Sequence, residues 1–242
     1  MSWNLIVSTG GGNAGGVVTT SGVDTTGTDF IVVVGSCLDS NPGVVTDSNS
    51  NTWLTAVNTG DNTRTIGFIY YSRNPTVGPG HTFTWATSGA TGTTGSFQVL
   101  AYSGSFTSSN PLDQINSTSY GSGTTSEQAG SITPTQSNEL IVFGTTIDDP
   151  SGSSFSINSG FTIQEDTDVT SGVMFGSLIA TLVQVSAAAV NPALTRTALS
   201  SGRFDWAMIA SFKGAGGTPT NNVGTIGRSN IIRVTRPGYR WT

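Results

Sequence analysis

Short runs of alternating apolar and polar residues recur along the chain, and Gly, Asn, Asp, Ser or Pro bound each run. Ile66, Phe68 and Tyr70 share one face of an extended strand, as do Phe83 and Trp85 in a later run. This period of two with one apolar face predicts antiparallel sheets packed on a shared core. The predicted strands cover residues 3–8, 17–20, 29–38, 52–58, 64–72, 81–86, 96–103, 139–147, 161–165, 173–185, 193–198 and 204–213.

Two of these runs, residues 30–34 and 140–143, are apolar on both faces, which predicts central strands. A third run, residues 204–212, places five apolar side chains on one face. A short helical turn within residues 183–193 is the one helical element that we expect. The residues expected to be buried between two sheets are Phe30, Val32, Ile66, Phe68, Phe83, Val99, Leu140, Val142, Phe204 and Trp206.

A weak internal repeat divides the chain into two similar halves. The run from Phe30 matches the run from Glu139 at an offset of 109, and Ala101 onward matches Ser211 onward at an offset of 110. We therefore expect an all-β, jelly-roll-like antiparallel sandwich of about ten strands with pseudo-twofold topology, formed by residues 1–214. Two separate five-stranded domains are the alternative. The single sandwich is preferred because Pro111, Leu112 and Ile115, between the halves, are expected to pack.

Composition supports a turn-rich, globular β protein. Of 242 residues, 32 are Gly and only 10 % are charged, whereas average proteins have about 7 % Gly and about 25 % charged residues. The 35 % hydrophobic content falls in compact blocks, which argues against disorder. We expect no signal peptide and no membrane span, and hence folding in a cytoplasm.

Charge separates the body of the chain from its C-terminal end. Residues 1–213 carry five basic and fourteen acidic side chains, a formal charge of −9, whereas residues 214–242 carry four arginines and no acid. Residues 215–242 are therefore expected to form an extended basic tail that attaches to a partner as a strand added to a sheet edge. A terminal strand docked on the chain's own body is the alternative. The expected partner-binding residues are Arg228, Ile231, Arg233, Arg236, Tyr239, Arg240 and Trp241.

The sequence offers little material for catalysis. His81 is the one histidine and Cys37 the one cysteine, so neither a Ser-His-Asp triad nor a Cys/His zinc site is indicated. Both are expected to be structural, buried residues. The dense acidic spots, at residues 165–168 and 148–149, fall in predicted loops. We therefore expect no enzyme activity, no cofactor and no metal.

Two binding alternatives remain open at this stage. Residues 47–51 place side-chain oxygens at alternate positions, as in the start of a calcium loop, but Thr52 and Asn58 stand where an EF-hand has Gly and Glu. A carbohydrate-binding surface is the second alternative. Its candidate stacking residues, each also expected in a strand face or core, are Trp53, Trp85, Tyr70 and Tyr71. Nucleic acid is not expected because the body is acidic.

Several motifs occur in a familiar order: TDSNSNTW at 46–53, IYY at 69–71, LAYSG at 100–104, NPLD at 110–113, GSITPT at 130–135, NELIV at 138–142 and Trp206. With them, residues 17–214 resemble a β-sandwich module of phage structural proteins and bacterial surface proteins. The resemblance implies a fold but no catalytic residue. We expect a non-enzymatic structural or accessory virion protein, such as a capsid decoration or appendage subunit. Its expected partners are other virion proteins or copies of itself. The alternative is a carbohydrate-binding module or adhesin that contacts a cell-surface glycan.

Overall fold

A computed structural model describes residues 3–38, 42–59, 65–86, 94–104, 110–121, 124–148, 154–169, 175–197 and 205–215. This part of the chain is all-β and contains sixteen strands. The first half contains β1 (Asn4–Asn13), β2 (Val17–Thr19), β3 (Phe30–Cys37), β4 (Val44–Asp47), β5 (Leu54–Asn58), β6 (Ile66–Arg73), β7 (Phe83–Ala86) and β8 (Gly95–Ser103). The second contains β9 (Leu112–Tyr120), β10 (Ser126–Glu127), β11 (Glu139–Asp148), β12 (Phe155–Ile157), β13 (Thr162–Val169), β14 (Phe175–Gln184), β15 (Leu194–Arg196) and β16 (Asp205–Phe212).

Each half forms a five-stranded and a three-stranded antiparallel sheet. The orders are β1-β8-β3-β6-β5 with β2-β7-β4, and β9-β16-β11-β14-β13 with β10-β15-β12. In the first half β1 pairs with β8, β2 with β7 and β3 with β6, the nested pairing of an eight-stranded jelly roll. The fifth strand departs from that plan because β5 pairs with β6 rather than with β4. In the second half β9 pairs with β16, β10 with β15 and β11 with β14 in the same nested way. Strand β13 likewise pairs with β14 rather than with β12.

The two five-stranded sheets pack face to face, so that both halves contribute to one central core. The resulting ten-stranded central sandwich confirms the expected all-β sandwich, and the two outer sheets bring the total to sixteen strands. The central core comprises Trp3, Phe30, Val32, Val34, Ala56, Val57, Ile69, Tyr71, Leu100, Tyr102, Leu140, Val142, Ile179, Met208, Ala210 and Phe212.

Each three-stranded sheet covers the outer face of its five-stranded sheet and closes an outer core. The first outer core comprises Val18, Ile31, Val33, Cys37, Val45, Ile66, Phe68, Phe83, Trp85, Phe97, Val99 and Ala101. The second outer core comprises Ala129, Ile132, Ile141, Phe143, Ile147, Phe161, Leu178, Ala180, Val190, Leu194, Ala207 and Ile209. Strands β3, β8, β11 and β16 therefore bury both faces.

The halves are related by a pseudo-twofold arrangement across the central core. Strand β3 lies against its counterpart β11, while β1 lies against β13 and β5 against β9. One end of this contact is polar: Ser36 Oγ donates to the carbonyl oxygen of Gly176 at 2.8 Å, and Ser96 Oγ lies 2.6 Å from Ser177 Oγ. These buried bonds fix the register of one half on the other.

The repeat is real, but its alignment within β3 and β11 is shifted by one residue. Phe30 pairs with Tyr102, and Leu140 pairs with Phe212 in the same way, so the structural offset between these strands is 110 rather than 109. The glycines that align at 109 consequently point to opposite faces. A Cβ on Gly144 would meet Val34 in the central core, whereas one on Gly35 would meet Phe68 in the first outer core. A one-residue slip exchanges the two faces of a strand.

Most strand and core predictions are confirmed. All twelve predicted strands occur, and the four that were missed are β4, β9, β10 and β12. Eight of the ten predicted core residues are buried. Trp206 is only half-buried because it lies at the start of β16, beyond the central core, and Phe204 lies outside the described residues. Ile115 is 52 % exposed on the edge strand β9, although Pro111 is buried.

The expected helical turn in residues 183–193 is wrong: β14 continues to Gln184, and no helix follows it among the residues described there. Gln184 Nε2 donates to the carbonyl oxygen of Ala188 at 2.7 Å, which stabilises a bend instead. Val185 is 77 % exposed, whereas Val190 is buried in the second outer core without a helix. Tail residues 216–242 lie outside the described residues.

Candidate functional site

The displaced pairing of β5 leaves an opening between β4 and β5 in the first jelly roll. Strand β4 ends the three-stranded sheet, and β5 ends the five-stranded one. A pocket of about 210 Å³ lies at this opening, and Gly43, Val44, Val45, Trp53, Thr55 and Tyr70 line it. We call it the Trp53–Tyr70 pocket.

The two aromatic residues of this pocket are only partly buried, unlike Trp85 and Tyr71, which are 0 % and 3 % exposed. The Tyr70 ring stacks on Phe68 with centroids 4.7 Å apart, and the Trp53 ring meets Phe83 edge-on at 6.2 Å. Burial of the phenol raises the pKa of Tyr70 to about 12. Each ring is thus anchored on its inner side by the first outer core.

A buried carboxylate holds the Trp53 ring from below. The Trp53 indole Nε1 donates to Asp47 Oδ2 at 2.9 Å, and His81 Nε2 lies 3.1 Å from Asp47 Oδ1. The other ring nitrogen of His81, Nδ1, lies 2.9 Å from Thr25 Oγ1. The side chains of Asp47 and His81 are both fully buried. The expected structural, buried role of His81 is therefore matched by its surroundings.

The hydrogen bonds of Asp47 disfavour calcium binding by its carboxylate. Asp47 Oδ1 also accepts hydrogen bonds from the backbone N–H of Asn49 at 2.9 Å and from Asn51 Nδ2 at 3.1 Å. Both Asp47 oxygens therefore already have protein donors, as in an Asx turn. The described residues contain no cluster of three or more His, Cys, Asp or Glu side chains that would hold a metal ion.

The second jelly roll keeps the backbone of this site but not its chemistry. The bridge between Val23 and His81 has its counterpart in Ile132 and Val190, so an apolar residue replaces the histidine. Thr55 and Ile163 occupy equivalent positions, each directly before the β-bulge of its strand, β5 or β13. By the same alignment, Phe161 is the counterpart of Trp53 in the second half, and Ala180 is the counterpart of Tyr70. The fold forms without the aromatic and polar set, so that set is an addition to the first half.

A buried ionic cluster lies between the sheets of the second half. Arg196 Nη2 lies 2.5 Å from Asp205 Oδ2 and 3.5 Å from Glu127 Oε1, and Thr145 Oγ1 donates to Glu127 Oε2 at 2.7 Å. Burial raises the pKa of Glu127 although Thr145 and Arg196 act against the rise. Because all three charged side chains are nearly inaccessible, the cluster is a packing element rather than an open site.

Two neighbouring acidic residues, Asp113 and Glu139, lie close to Lys213, shortly before the tail begins at residue 215. Lys213 Nζ contacts Asp113 Oδ1 at 2.7 Å, and the backbone N–H of Thr135 donates to Asp113 Oδ2 at 2.7 Å. Burial acts to raise the pKa of Asp113, but hydrogen bonds, chiefly from Lys213 and Thr135, outweigh it and lower the pKa. Burial raises the pKa of the neighbouring Glu139 to about 7.

The other candidate residues are placed as follows. Cys37 is buried in the first outer core. Glu165 and Asp166 lie on strand β13, which corrects the prediction of a loop, because β13 continues four residues beyond its predicted end. Asp148 is the last residue of β11, and Asp149 lies outside the described residues. So do all seven tail residues, Arg228, Ile231, Arg233, Arg236, Tyr239, Arg240 and Trp241.

The sequence did not indicate three residues that matter here. The sequence indicates Asp47 only as a possible calcium ligand, and no pattern in it points to Arg196 or Glu127. Asp47 and His81 are 34 residues apart in the chain, and their pairing requires β4 and β7 to be neighbours. No local pattern in the sequence predicts such a contact.

Comparisons of the chain with protein-family models, curated proteins and solved structures find no match. Across the residues described, there is no helix long and apolar enough to cross a membrane.

Proposed function

We propose that this chain is a non-enzymatic structural or accessory protein of a virus particle, such as a capsid decoration or appendage subunit. Jelly rolls are a common architecture of viral capsid proteins, although they also occur in lectins. Fold alone does not determine function. The proposal therefore rests on how the chain would attach, through its basic tail at residues 215–242, to copies of itself or to other virion proteins.

One observation carries the attachment step: the outermost strand of the second half, β13, bears acidic side chains. Strand β13 pairs only with β14 in its sheet, so its other backbone edge has no hydrogen-bonded strand partner within the described residues. Asp166 is exposed on it, and Glu165 is half-buried, where it accepts a hydrogen bond from Ser8 Oγ. An open edge with side chains of one charge suits an added strand of the opposite charge.

The tail has the matching pattern. Arg233 stands between Ile232 and Val234 in the sequence, so an extended strand would place it on the face opposite these two residues, and residues 214–242 contain four arginines and no acid. The other outer strands of the five-stranded sheets suit this pattern less well. Strands β1 and β5 carry no acidic residue, and Asp113, the one acid of β9, already pairs with Lys213. We therefore assign β13 of a neighbouring copy as the receiving edge.

Self-association of the full chain, measured by analytical ultracentrifugation, tests the attachment. Removing residues 215–242 should leave a folded monomer, and raising the salt concentration should dissociate the full-length assembly. Single charge reversals, Asp166→Lys or Arg233→Asp, should each weaken association, and the double variant should recover it. Asp24→Lys, on an exposed turn of the first half, is the matched control and should associate like the wild type.

Two results would contradict the proposal. Normal assembly of the truncated chain would show that the tail is not the tether. Unfolding of the truncated chain would show instead that the tail is a strand of its own body, which is the alternative considered from the sequence. Failure of the double charge reversal to restore association would reject β13 as the receiving edge while leaving the tether intact.

A further inference from the structure

The Trp53–Tyr70 pocket has features that packing alone does not require. Its two rings are half-exposed in a concave opening, whereas their counterparts in the second half are a buried Phe161 and a buried Ala180. The second half shows that this jelly roll closes its outer core without an exposed indole. The aromatic pair is therefore a local elaboration that calls for a function of its own.

The Trp53 ring is also positioned before any ligand arrives. Asp47 accepts the indole N–H, and His81, with Thr25 behind it, holds Asp47. A fully buried Asp–His pair is costly unless every polar atom is satisfied, and here it supports a side chain at the surface. Groups that orient a binding residue from behind raise affinity by preorganisation.

The lining of the pocket indicates the class of ligand. Two aromatic rings supply flat apolar faces, and Thr55 and Tyr70 supply hydroxyl groups that donate and accept hydrogen bonds. No charged side chain belongs to the lining that the described residues form. A neutral ligand with one apolar face and a rim of hydroxyl groups is complementary to such a surface, and a pyranose ring has that form.

The size of the pocket agrees with a single ring. Drug-sized ligands occupy pockets of about 300–1,000 Å³, whereas this one measures about 210 Å³. Its open side allows a longer chain of sugars to continue outward along the edge of β5, because β5 has only β6 as a sheet neighbour there.

We propose that the Trp53–Tyr70 pocket binds one pyranose ring of a neutral saccharide, with the sugar packed against Trp53 and its hydroxyl groups bonded to Thr55 and Tyr70. Asp47 and His81 are positioning residues that fix the Trp53 ring. This site belongs to the body of the protein, so it does not depend on the attachment of the tail.

The test presents a panel of neutral oligosaccharides, built from glucose, galactose, mannose and N-acetylglucosamine, to the full chain. Binding is followed by tryptophan fluorescence and isothermal titration calorimetry. Trp53→Ala should weaken binding by about tenfold or more, as loss of an aromatic anchor does, and Thr55→Val should weaken it less. Thr162→Val, at an exposed threonine of the matching edge strand β13, is the control and should bind like the wild type.

His81→Asn tests positioning separately from contact. It should weaken saccharide binding and also alter the tryptophan emission of the free protein, because Asp47, which accepts the indole N–H, is no longer held by His81. Thr55→Val should leave that emission unchanged. Absence of binding to every neutral saccharide at millimolar concentration would overturn the proposal. So would binding that survives Trp53→Ala in a protein whose melting temperature is unchanged, or a pocket that takes only an apolar dye such as anilinonaphthalene sulfonate.

Discussion

The rings of Phe30 and Phe212 lie with their centroids 4.8 Å apart in the central core, one from each half of the chain. Tyr71 stacks against Phe30 at 5.8 Å and meets Phe212 at 5.2 Å, so three aromatic rings from both five-stranded sheets form one contact group. Aromatic pairs of this kind contribute beyond the area that they bury. The two jelly rolls thus share an aromatic contact group in the central core.

This sharing predicts that the halves unfold together. Phe212→Ala should lower the free energy of unfolding by about 3–5 kcal/mol and leave a single denaturant transition, since the cavity opens between the halves. Urea unfolding followed by tryptophan fluorescence and by circular dichroism measures both quantities. Val185→Ala, at a residue that is 77 % exposed, is the control and should change little. Two separate transitions in the wild type would contradict the shared core.

A second prediction concerns how closely the central sheets approach each other. A Cβ on Gly144 would lie 2.5 Å from Val34 Cγ1, so Gly144→Ala must push the two strands apart. We expect a loss of about 1–3 kcal/mol in the free energy of unfolding, as for other overpacked cores. In a Val34→Ala background the same change should cost less, because the atoms that it meets are gone.

The matched control for this cycle is Gly78→Ala, because a Cβ there meets no heavy atom within 4 Å. It should change stability by less than about 0.5 kcal/mol. Equal costs for Gly144→Ala in both backgrounds would mean that Val34 is not the obstacle.

The strands that the sequence predicts well are those with a strong apolar signal. Strands β3 and β11 bury both faces, so their unbroken apolar runs identify them directly. Strands β9 and β12 are missed because an edge or outer strand need not be apolar: β9 reads LDQINSTSY, and β12 has three residues. The repeat was detectable, but its register was not, because Gly35 and Gly144 align in sequence while they point to different cores.

The candidate site was less predictable than the fold. Trp53 and Tyr70 were candidates for sugar stacking, together with Trp85 and Tyr71, and alternation alone could not separate the half-exposed pair from the buried pair. That difference arises because β5 pairs with β6 and leaves the side of β4 open. Strand pairing over such distances depends on the whole fold, so residue patterns within one strand do not reveal it.

The buried cluster of Arg196, Asp205 and Glu127 gives a third prediction. Arg196→Leu removes the one cation and leaves two carboxylates inside the second half. Loss of one partner of a buried ionic group costs about 3–5 kcal/mol, so the melting temperature should fall steeply. The triple variant Arg196→Leu, Glu127→Leu, Asp205→Leu should recover much of this loss in thermal unfolding. Further destabilisation of the triple variant would show that the cluster shapes the fold beyond balancing charge.

The pair of Glu139 and Asp113 makes stability depend on pH in two opposite ways. Burial raises the pKa of Glu139 from 4.5 to about 7, so the folded state keeps a proton that the unfolded chain releases. Stability from this group is complete below pH 4.5 and is lost as the pH rises toward 7. The pKa of Asp113 is lowered from 3.8, so its contribution is present above that pH and is lost on acidification.

The last prediction is that Glu139→Gln flattens the fall in stability between pH 4.5 and 7, because glutamine resembles the protonated acid and does not ionise. The free energy of unfolding of the variant, relative to that of the wild type, should therefore be higher at pH 8 than at pH 4. Urea unfolding across the pH series measures this difference. Asp113→Asn should instead affect the acidic range. It should lower the stability above pH 3.8, where the wild type keeps the contribution of the ionised Asp113, and it should have less effect at lower pH. An unchanged slope in Glu139→Gln would mean that Glu139 is ionised in the folded protein at pH 6, with Lys213 serving both carboxylates.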